Sequence, residues 1–278
     1  MKNSTKIMST TEFEKIINKA KDEGYNSIGL YNWMEPFMCT NFYEYVAIVK
    51  KFGLSCSTSS NLSIDPTKFE IIEKTLMSNL DSLIISVSGF RQDTYAINHS
   101  NGNIFWVKEN IEKTSKVIKY KNLNTNIRLR FIKFDYNTED EILLEEYAKS
   151  LDINFESIPG VGDPRKPNSF NHEQIFIDRI INVNYKRIYE LKGTVCPLIF
   201  EHIAIDSNSE VYLCCAFPYY NCLKIGKYLN LTKEDILLQR YNHTHCLSCN
   251  WPRKALSESN KNDITKALND RFILQRSP

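Results

Sequence analysis

The sequence has neither a long apolar run nor an excess of charge of one sign, and each absence removes a class of function. No run of about 18 apolar residues is present, so nothing predicts a helix that crosses a bilayer. The 35 basic and 33 acidic side chains leave a formal net charge of +2, which gives no reason to expect a nucleic-acid partner. We therefore expect no membrane association and no nucleic-acid binding.

An apolar leader is also missing at the N-terminus, which begins Met1-Lys2-Asn3-Ser4-Thr5. Without a predicted route to an oxidising compartment, the eight cysteines are not expected to form disulfides. The sequence therefore predicts a cytoplasmic protein whose cysteines are free or bind a metal. No internal repeat of about 20 to 50 residues is present, which excludes a solenoid.

Apolar residues are plentiful, at 42% of the chain, and their spacing predicts secondary structure from the start. Ser9-Thr10-Thr11-Glu12 has the pattern of a capping box, in which the side chains at both ends satisfy free backbone N–H groups of a helix. An amphipathic helix is predicted over residues 9–23. The apolar residues at helical spacing are Phe13, Ile16, Ile17 and Ala20.

Five short apolar segments then alternate with helical patterns. The predicted strands span residues 27–31, 54–58, 82–88, 127–134 and 153–158. Helices between successive strands indicate a parallel α/β sheet or barrel, which binds ligands at the C-terminal ends of its strands. Because the chain opens on a helix, we expect a first strand upstream of Met1.

The remaining sequence predicts a second, smaller domain. Residues 1–160 form the α/β unit, 161–195 a polar connection with a helix near 172–183, 196–250 a cysteine-rich domain and 251–278 a charged tail. Inside the cysteine-rich domain, residues 203–205 and 211–213 flank a polar turn and predict a β-hairpin. A helix is predicted over 233–241.

Five cysteines in this domain have the spacing of a metal site. They are Cys196, the pair Cys214-Cys215, Cys246 and Cys249. Four thiolates from separated segments can bind one soft metal centre. The two-residue gap between Cys246 and Cys249 lets one turn supply two of these ligands. Structural zinc and iron–sulfur clusters both use such spacing, so the pattern leaves both open.

Two motifs lie where the predicted strands end. The first motif follows the first strand and reads Asn32-Trp33-Met34-Glu35-Pro36. The second motif covers the end of the third strand and reads Ile85-Ser86-Val87-Ser88-Gly89-Phe90, with Thr94-Tyr95 and His99 shortly after it. With the cysteine-rich segment, these motifs resemble radical S-adenosylmethionine (radical SAM) enzymes that carry a C-terminal SPASM or shorter twitch auxiliary-cluster domain. The resemblance covers about residues 8–250. It implies a partial parallel (β/α)6 barrel that lacks its first strand, followed by the small cysteine-rich domain.

The resemblance also implies cofactors and site residues. It assigns Glu35 to the ammonium group of S-adenosylmethionine, and Ser86 and Ser88 to the ribose or carboxylate of the cofactor. Arg130 is expected to contact the cofactor's carboxylate, with a structural ion pair as the alternative. One auxiliary [4Fe-4S] cluster is implied, with Cys215 as either a substitute for Cys214 or a buried neighbour. The implied cluster ligands are Cys196, Cys214, Cys246 and Cys249.

Weaker candidates accompany this set. The segment Thr58 to Asn61 stands where the family often has Thr-Asn-Gly, and His99 and His202 are candidate proton donors or latent ligands, although lone histidines are more often structural. Cys39 and Cys56 are expected to be small buried side chains. The residues expected to line the barrel cavity are Arg128, Phe131 and Asn154.

The sequence departs from the family in one respect. Radical SAM chemistry needs a Cys-x-x-x-Cys-x-x-Cys loop after the first strand, and no such triplet occurs here. A second [4Fe-4S] cluster is therefore expected only if an upstream segment exists. The full-length form would abstract hydrogen from a peptide or small-molecule substrate. The alternatives are a non-catalytic iron–sulfur or zinc-binding partner module, whose exposed sheet edge another chain covers, and an unrelated α/β protein with a zinc ribbon.

Overall fold

The computed structural model describes residues 6–32, 34–160, 165, 202–215 and 223–243. The chain divides into two compact units, Ile7–Phe170 and Asn171–Pro278, the second together with Met1–Lys6. The predicted connection (Arg165 aside), the helix near 172–183 and the tail lie outside the described residues, and the predicted domain boundaries stay predictions.

The first unit is built on a five-stranded parallel sheet with its strands in chain order. The strands are β1 (Ser27–Gly29), β2 (Ser55–Ser60), β3 (Ser82–Val87), β4 (Asn126–Lys133) and β5 (Asn154–Pro159). Every connection between neighbouring strands contains a helix, which parallel pairing requires. The prediction of a parallel α/β sheet is confirmed, and all five strands end at the same edge of it.

Six α-helices belong to the described part of this unit. They are α1 (Thr10–Asp22), α2 (Phe42–Lys51), α3 (Glu70–Met77), α4 (Gln92–Asn98), α5 (Ile104–Lys121) and α6 (Thr138–Ser150). Short 3-10 helices at Pro36–Met38 and Pro66–Lys68 precede α2 and α3. Helix α4 was not predicted, because the sequence pattern indicated no helix between β3 and α5.

Helix α1 forms as its sequence predicted. The Oγ of Ser9 accepts a hydrogen bond from the backbone N of Glu12 at 3.2 Å, which caps the free N-terminal turn. The four residues predicted to face the core are all buried.

Alternate residues of the central strands face opposite sides of the sheet. One side packs against the helices and forms the hydrophobic core, to which β2, β3 and β4 contribute Cys56, Leu83, Ile85, Val87, Leu129 and Phe131. The other side, here called the open face, is partly exposed. It consists of Ser57, Ser59, Ile84, Ser86, Arg128, Arg130 and Glu156.

The prediction that Phe131 lines the cavity is wrong. Phe131 is fully buried in the core, because it occupies the position after Arg130 and strand side chains alternate. Arg128, by contrast, lies on the open face as predicted.

The second unit contains a small antiparallel sheet of β6 (Ala204–Ile205), β7 (Glu210–Tyr212) and β8 (Lys224–Lys227), followed by α7 (Lys233–Asn242). The predicted hairpin is confirmed, since β6 pairs antiparallel with β7. The Oδ1 of Asp206 closes its turn by accepting from the backbone N atoms of Asn208 and Glu210 at 2.8 and 3.0 Å. In the parts of the chain that the structure describes, no helix has both the length and the apolar character to cross a membrane.

Candidate functional site

Glu35 is held at the C-terminal edge of the sheet by hydrogen bonds from three groups. The Oγ of Ser60 donates to its Oε1 at 2.6 Å, and the backbone N of Asn61 donates to its Oε2 at 3.0 Å. Glu35 also caps the 3-10 helix that follows it, because its Oε1 accepts from the backbone N of Phe37 at 3.3 Å. The loop after β1 is thereby fixed to the end of β2.

The Glu35 carboxylate forms no salt bridge with a cation in the described part of the chain. Burial raises the pKa of Glu35, and the hydrogen bonds from Ser60, Asn61 and Phe37 lower it by less, so the pKa lies above its ordinary value. A carboxylate that is held by fixed donors and pairs with no cation can accept hydrogen bonds from an ammonium group.

The weaker candidates at residues 58–61 divide into two roles. Ser60 and Asn61 hold Glu35, whereas the Oγ1 of Thr58 donates to the backbone O of Leu30 at 2.8 Å and so joins two strands. Leu62, the next residue, has a left-handed φ of 50°, which is strained for a residue with a Cβ. The segment that holds Glu35 is therefore followed directly by a residue in an unfavourable backbone conformation.

The two predicted serines of β3 differ in environment. Ser86 lies on the open face, and its Oγ is 3.3 Å from the Oγ of Ser59 on β2. Ser88, just past the end of β3, is fully buried, and its Oγ has no hydrogen-bond partner among the described residues. A buried hydroxyl without a partner is costly, so a hydrogen-bond partner at the Ser88 Oγ would stabilise the protein.

The loop after β3 is fixed by residues that the sequence reading missed. The fully buried Asp140 of α6 accepts from the backbone N atoms of Phe90 and Arg91 at 2.8 and 3.3 Å, and pairs with the Arg91 guanidinium at 2.8 Å. A Cβ on Gly89 would lie 2.5 Å from the backbone N of Tyr95, so only glycine fits there. The acidic first turn of α6 was the available signal for Asp140.

Asn137 joins two strand ends in the same region. Its Nδ2 donates to the backbone O atoms of Ser88 and Ile132 at 2.8 and 2.9 Å, and its Oδ1 accepts from the backbone N of Phe134 at 2.7 Å. The C-terminal ends of β3 and β4 are therefore held in one rigid arrangement.

The histidine candidates have different surroundings. His99 stacks on Tyr95 with ring centroids 4.5 Å apart, and its Nε2 has no hydrogen-bond partner among the described residues. Burial lowers the pKa of His99 to about 4, so it is neutral at pH 7. His202 supplies its backbone O to the Arg240 guanidinium, which is a structural contact.

Arg130 has a partner within the chain. Its Nε lies 2.5 Å from the Oε1 of Glu156 on β5, and the Nη1 of Arg128 lies 3.3 Å from the other carboxylate oxygen. This is the ion pair that the sequence left as an alternative. The predicted contact of Arg130 with a cofactor carboxylate stays a prediction.

The cysteine ligand set is mostly outside the described residues. Cys196, Cys246 and Cys249 lie there, whereas Cys214 and Cys215 follow β7 and are half-buried. The described residues hold no group of three His, Cys, Asp or Glu side chains suited to a metal ion.

Cys39 and Cys56, the two cysteines of the first unit, were both expected to be small buried side chains, and only one of them is fully buried. Cys56 is fully buried, and burial raises the pKa of its thiol to about 12, whereas Cys39 is half-buried. Neither of them contributes to a metal site in the described segments.

Comparison with known proteins shows a likeness of structure and none of sequence. No family model matches the chain, and no curated protein matches it by sequence. A crystal structure of SuiB from Streptococcus suis matches 87% of this chain with a TM-score of 0.59 and 14% sequence identity. The chain shares the SuiB fold.

A second structure of SuiB, bound to S-adenosylmethionine, matches with a TM-score of 0.56 and 14% identity. The two likenesses show a shared α/β fold built on a parallel sheet. This chain spans 61% and 63% of the two SuiB chains, about three fifths of their length.

Proposed function

We propose that the α/β unit binds S-adenosylmethionine at the C-terminal edge of its sheet, with Glu35 accepting the ammonium of the methionine moiety. One observation carries the proposal: the Glu35 carboxylate is fixed by three hydrogen bonds and has no cationic partner among the described residues. The likeness to SuiB, which was crystallised with this molecule, supports the choice of ligand.

The geometry fits an ammonium for an electrostatic reason. Two unit charges 4 Å apart attract by about 1 kcal/mol in water and about 4 kcal/mol in a partly buried site with an effective dielectric constant near 20. Glu35 is half-buried and already oriented, so binding a cation requires little reorganisation. A ligand ammonium therefore gains more at this position than at an exposed carboxylate.

The serines of β3 complete the proposed cofactor site. Ser86 offers a hydroxyl on the open face near the strand end, and the unpartnered Ser88 hydroxyl would gain a partner if the ligand's ribose or carboxylate approached it after a small local shift. Arg130 is not needed in this set, because Glu156 holds its guanidinium on the far side of β4.

We assign the reaction itself to the full-length form of the protein. There the chain would abstract hydrogen from a peptide or small-molecule substrate, with an auxiliary [4Fe-4S] cluster on Cys196, Cys214, Cys246 and Cys249. The cluster would supply electron transfer or substrate positioning when bound.

A second candidate function is a non-catalytic binding module. It is favoured by the outer edge of β1, which pairs with no strand in the described part of the chain. Such an edge offers free backbone groups to a partner strand. This function and cofactor binding are compatible, and cofactor binding is the one that the Glu35 geometry supports.

Isothermal titration of the purified chain with S-adenosylmethionine tests the proposal. Replacing Glu35 by Gln removes a charge-assisted hydrogen bond of about 1.5 to 3 kcal/mol, so binding should weaken roughly tenfold or more. The matched control is Glu14→Gln, which removes a carboxylate from the exposed pair with Lys51. Equal affinities of wild type and Glu35→Gln would reject the proposal, as would a wild type that does not bind.

A further inference from the structure

Two arginines and one glutamate form a charged cluster on the open face, away from Glu35. The Nε of Arg130 and the Nη1 of Arg128 lie 2.5 and 3.3 Å from the two carboxylate oxygens of Glu156. The side chains of Arg128, Arg130 and Glu156 are 40%, 28% and 29% exposed. The cluster is thus open to a ligand, although its members are partly desolvated.

The cluster carries one positive charge in excess. Neither arginine forms another ion pair among the described residues, so two guanidinium groups share one carboxylate. Guanidinium groups present several N–H donors in a planar array, and Glu156 occupies only one donor of each. The remaining donors and the net charge suit one further carboxylate.

Two serines of the neighbouring strands lie on the same face as the cluster. Ser86 on β3 is in register with Arg130, and Ser59 on β2 is in register with Ile84, which neighbours Arg128. None of the open-face residues of β2, β3 and β4 belongs to the hydrophobic core. The small hydroxyl side chains therefore lie beside two long cationic ones, so this part of the open face is polar and positively charged on one side.

The distance along the sheet separates this cluster from Glu35. Glu35 is bound at the end of β2, and Glu156 holds both guanidinium groups towards β5, which is three strands away or roughly 14 Å along the sheet. In one amino acid the amino nitrogen and the carboxylate are only about 3 to 4 Å apart. A methionine moiety bound at Glu35 therefore does not reach the cluster with its own carboxylate.

We propose that Arg128 and Arg130 bind a carboxylate of the substrate, that is, of the molecule on which the bound S-adenosylmethionine acts. The inference rests on the proposed function, and it assigns the substrate's chemical class: an acid whose carboxylate lies against β4 while its remainder extends over the serines towards Glu35. A monoanion matches the single excess charge, whereas a phosphate dianion would exceed it.

The test is titration of the full chain with acids and their neutral amides. N-acetylphenylalanine stands for a peptide C-terminus, N-acetylglutamate α-amide for an acidic side chain and 3-phenylpropionate for a small-molecule acid. We expect the affinity of each acid that binds to exceed the affinity of its amide by about tenfold, because only the acid makes a charge-assisted contact. Added salt should weaken the binding of the acid. The tightest of the three identifies the source of the carboxylate.

Three variants of the cluster should change the affinity for the acid in opposite directions. Arg128→Gln and Arg130→Gln should each weaken binding of the tightest acid about tenfold, whereas Glu156→Gln should strengthen it several-fold because it removes the competing carboxylate. Lys74→Gln, which removes a positive charge from an exposed helical pair, is the control and should have no effect. Acid binding that is unchanged in all three cluster variants overturns the inference, as does the absence of acid binding in wild type.

Parallel titrations with S-adenosylmethionine separate the two possible failures. If Arg130→Gln loses the cofactor and keeps the acids, the cluster is a cofactor contact and this inference fails while the proposed function stands. If wild type binds the acids and not the cofactor, the proposed function fails and the assignment to a substrate falls with it. Loss of the cofactor in Glu35→Gln and of the acids in the arginine variants supports both.

Discussion

The Oγ of Ser60 lies 2.6 Å from the Oε1 of Glu35, and this contact joins the end of β2 to the loop that follows β1. The same Oγ accepts from the backbone N of Leu62 at 2.8 Å. Ser60 is therefore a positioning residue for the proposed cofactor contact, which it would orient without touching the ligand.

Ser60→Ala tests that positioning role. The variant removes one hydrogen bond from Glu35 and leaves the N–H of Leu62 without its partner, so we expect a loss of about 1 to 3 kcal/mol in unfolding free energy. Affinity for S-adenosylmethionine should fall by less than in Glu35→Gln, since the carboxylate remains. Ser78→Ala, whose hydroxyl contacts only a helix carbonyl, is the control in both measurements. A stable Ser60→Ala protein with wild-type affinity would remove Ser60 from the site.

Cofactor affinity should depend on pH through Glu35. Burial raises the pKa of this carboxyl above its ordinary value, so protonation begins at a higher pH than for an exposed glutamate. The neutral form gives up the attraction to the ammonium, and binding therefore weakens as pH falls through that raised pKa. Titrations from about pH 7 down to about pH 4, which lies below the ordinary glutamate pKa of about 4.3, measure this, and the pH dependence should disappear in Glu35→Gln. A wild-type affinity that is constant over this range would contradict the assignment.

Stability should depend on pH through His99. Burial lowers the pKa of this imidazole to about 4, whereas an unfolded histidine titrates near 6.5. Between these values the unfolded state binds the proton and the folded state does not, so stability falls as pH decreases from about 6.5 to about 4. The full difference corresponds to about 3 kcal/mol.

His99→Phe keeps the stacking on Tyr95 and removes the titrating group. Urea unfolding at pH 7 and pH 4.5 should therefore show a smaller loss of stability in the variant than in wild type. Equal losses in the two proteins would show that His99 is not the group responsible.

Asp140 and its neighbour Glu139 form a matched pair for mutation. Asp140 is fully buried on two backbone N–H groups and Arg91, while the side chain of Glu139 is 81% exposed. Asp140→Asn should lower the unfolding free energy by about 3 kcal/mol, because it breaks a buried charge contact, and Glu139→Gln by less than about 1 kcal/mol. Similar effects of the two changes would refute the view that Asp140 fixes the loop after β3.

The proposed auxiliary cluster predicts a metal content. Anaerobically purified protein should contain about four iron and four sulfide per chain, with a brown colour, and Cys246→Ala together with Cys249→Ala should remove both. A content of about one zinc without colour would select the zinc alternative. Metal retained after both substitutions would contradict the ligand assignment.

The parallel sheet and most of the helices of the first unit could be predicted from sequence because their signals are local. The capping box at Ser9 and the apolar spacing from Phe13 to Ala20 fix α1, and each strand is a short segment between helical patterns, although β2 is mostly serine. Helix α4 was missed because its seven residues are too few to show a 3.6-residue period clearly.

The site could be predicted only in part, because its contacts join distant segments. Glu35 was found through a motif, but its partner Ser60 lies 25 residues away and becomes visible only with the β1–β2 pairing. Likewise, Arg130 needed the β4–β5 register before Glu156 could be recognised as its partner. Phe131 was misplaced because one position along a strand reverses the side-chain direction.

A crystal structure of this chain soaked with S-adenosylmethionine tests the central claim most directly. The account predicts the ligand at the C-terminal edge of the sheet, with its ammonium nitrogen within about 3 Å of a Glu35 carboxylate oxygen. The Ser60 and Asn61 contacts to that carboxylate should be preserved. A ligand bound elsewhere, or one whose ammonium group lies away from Glu35, would contradict it.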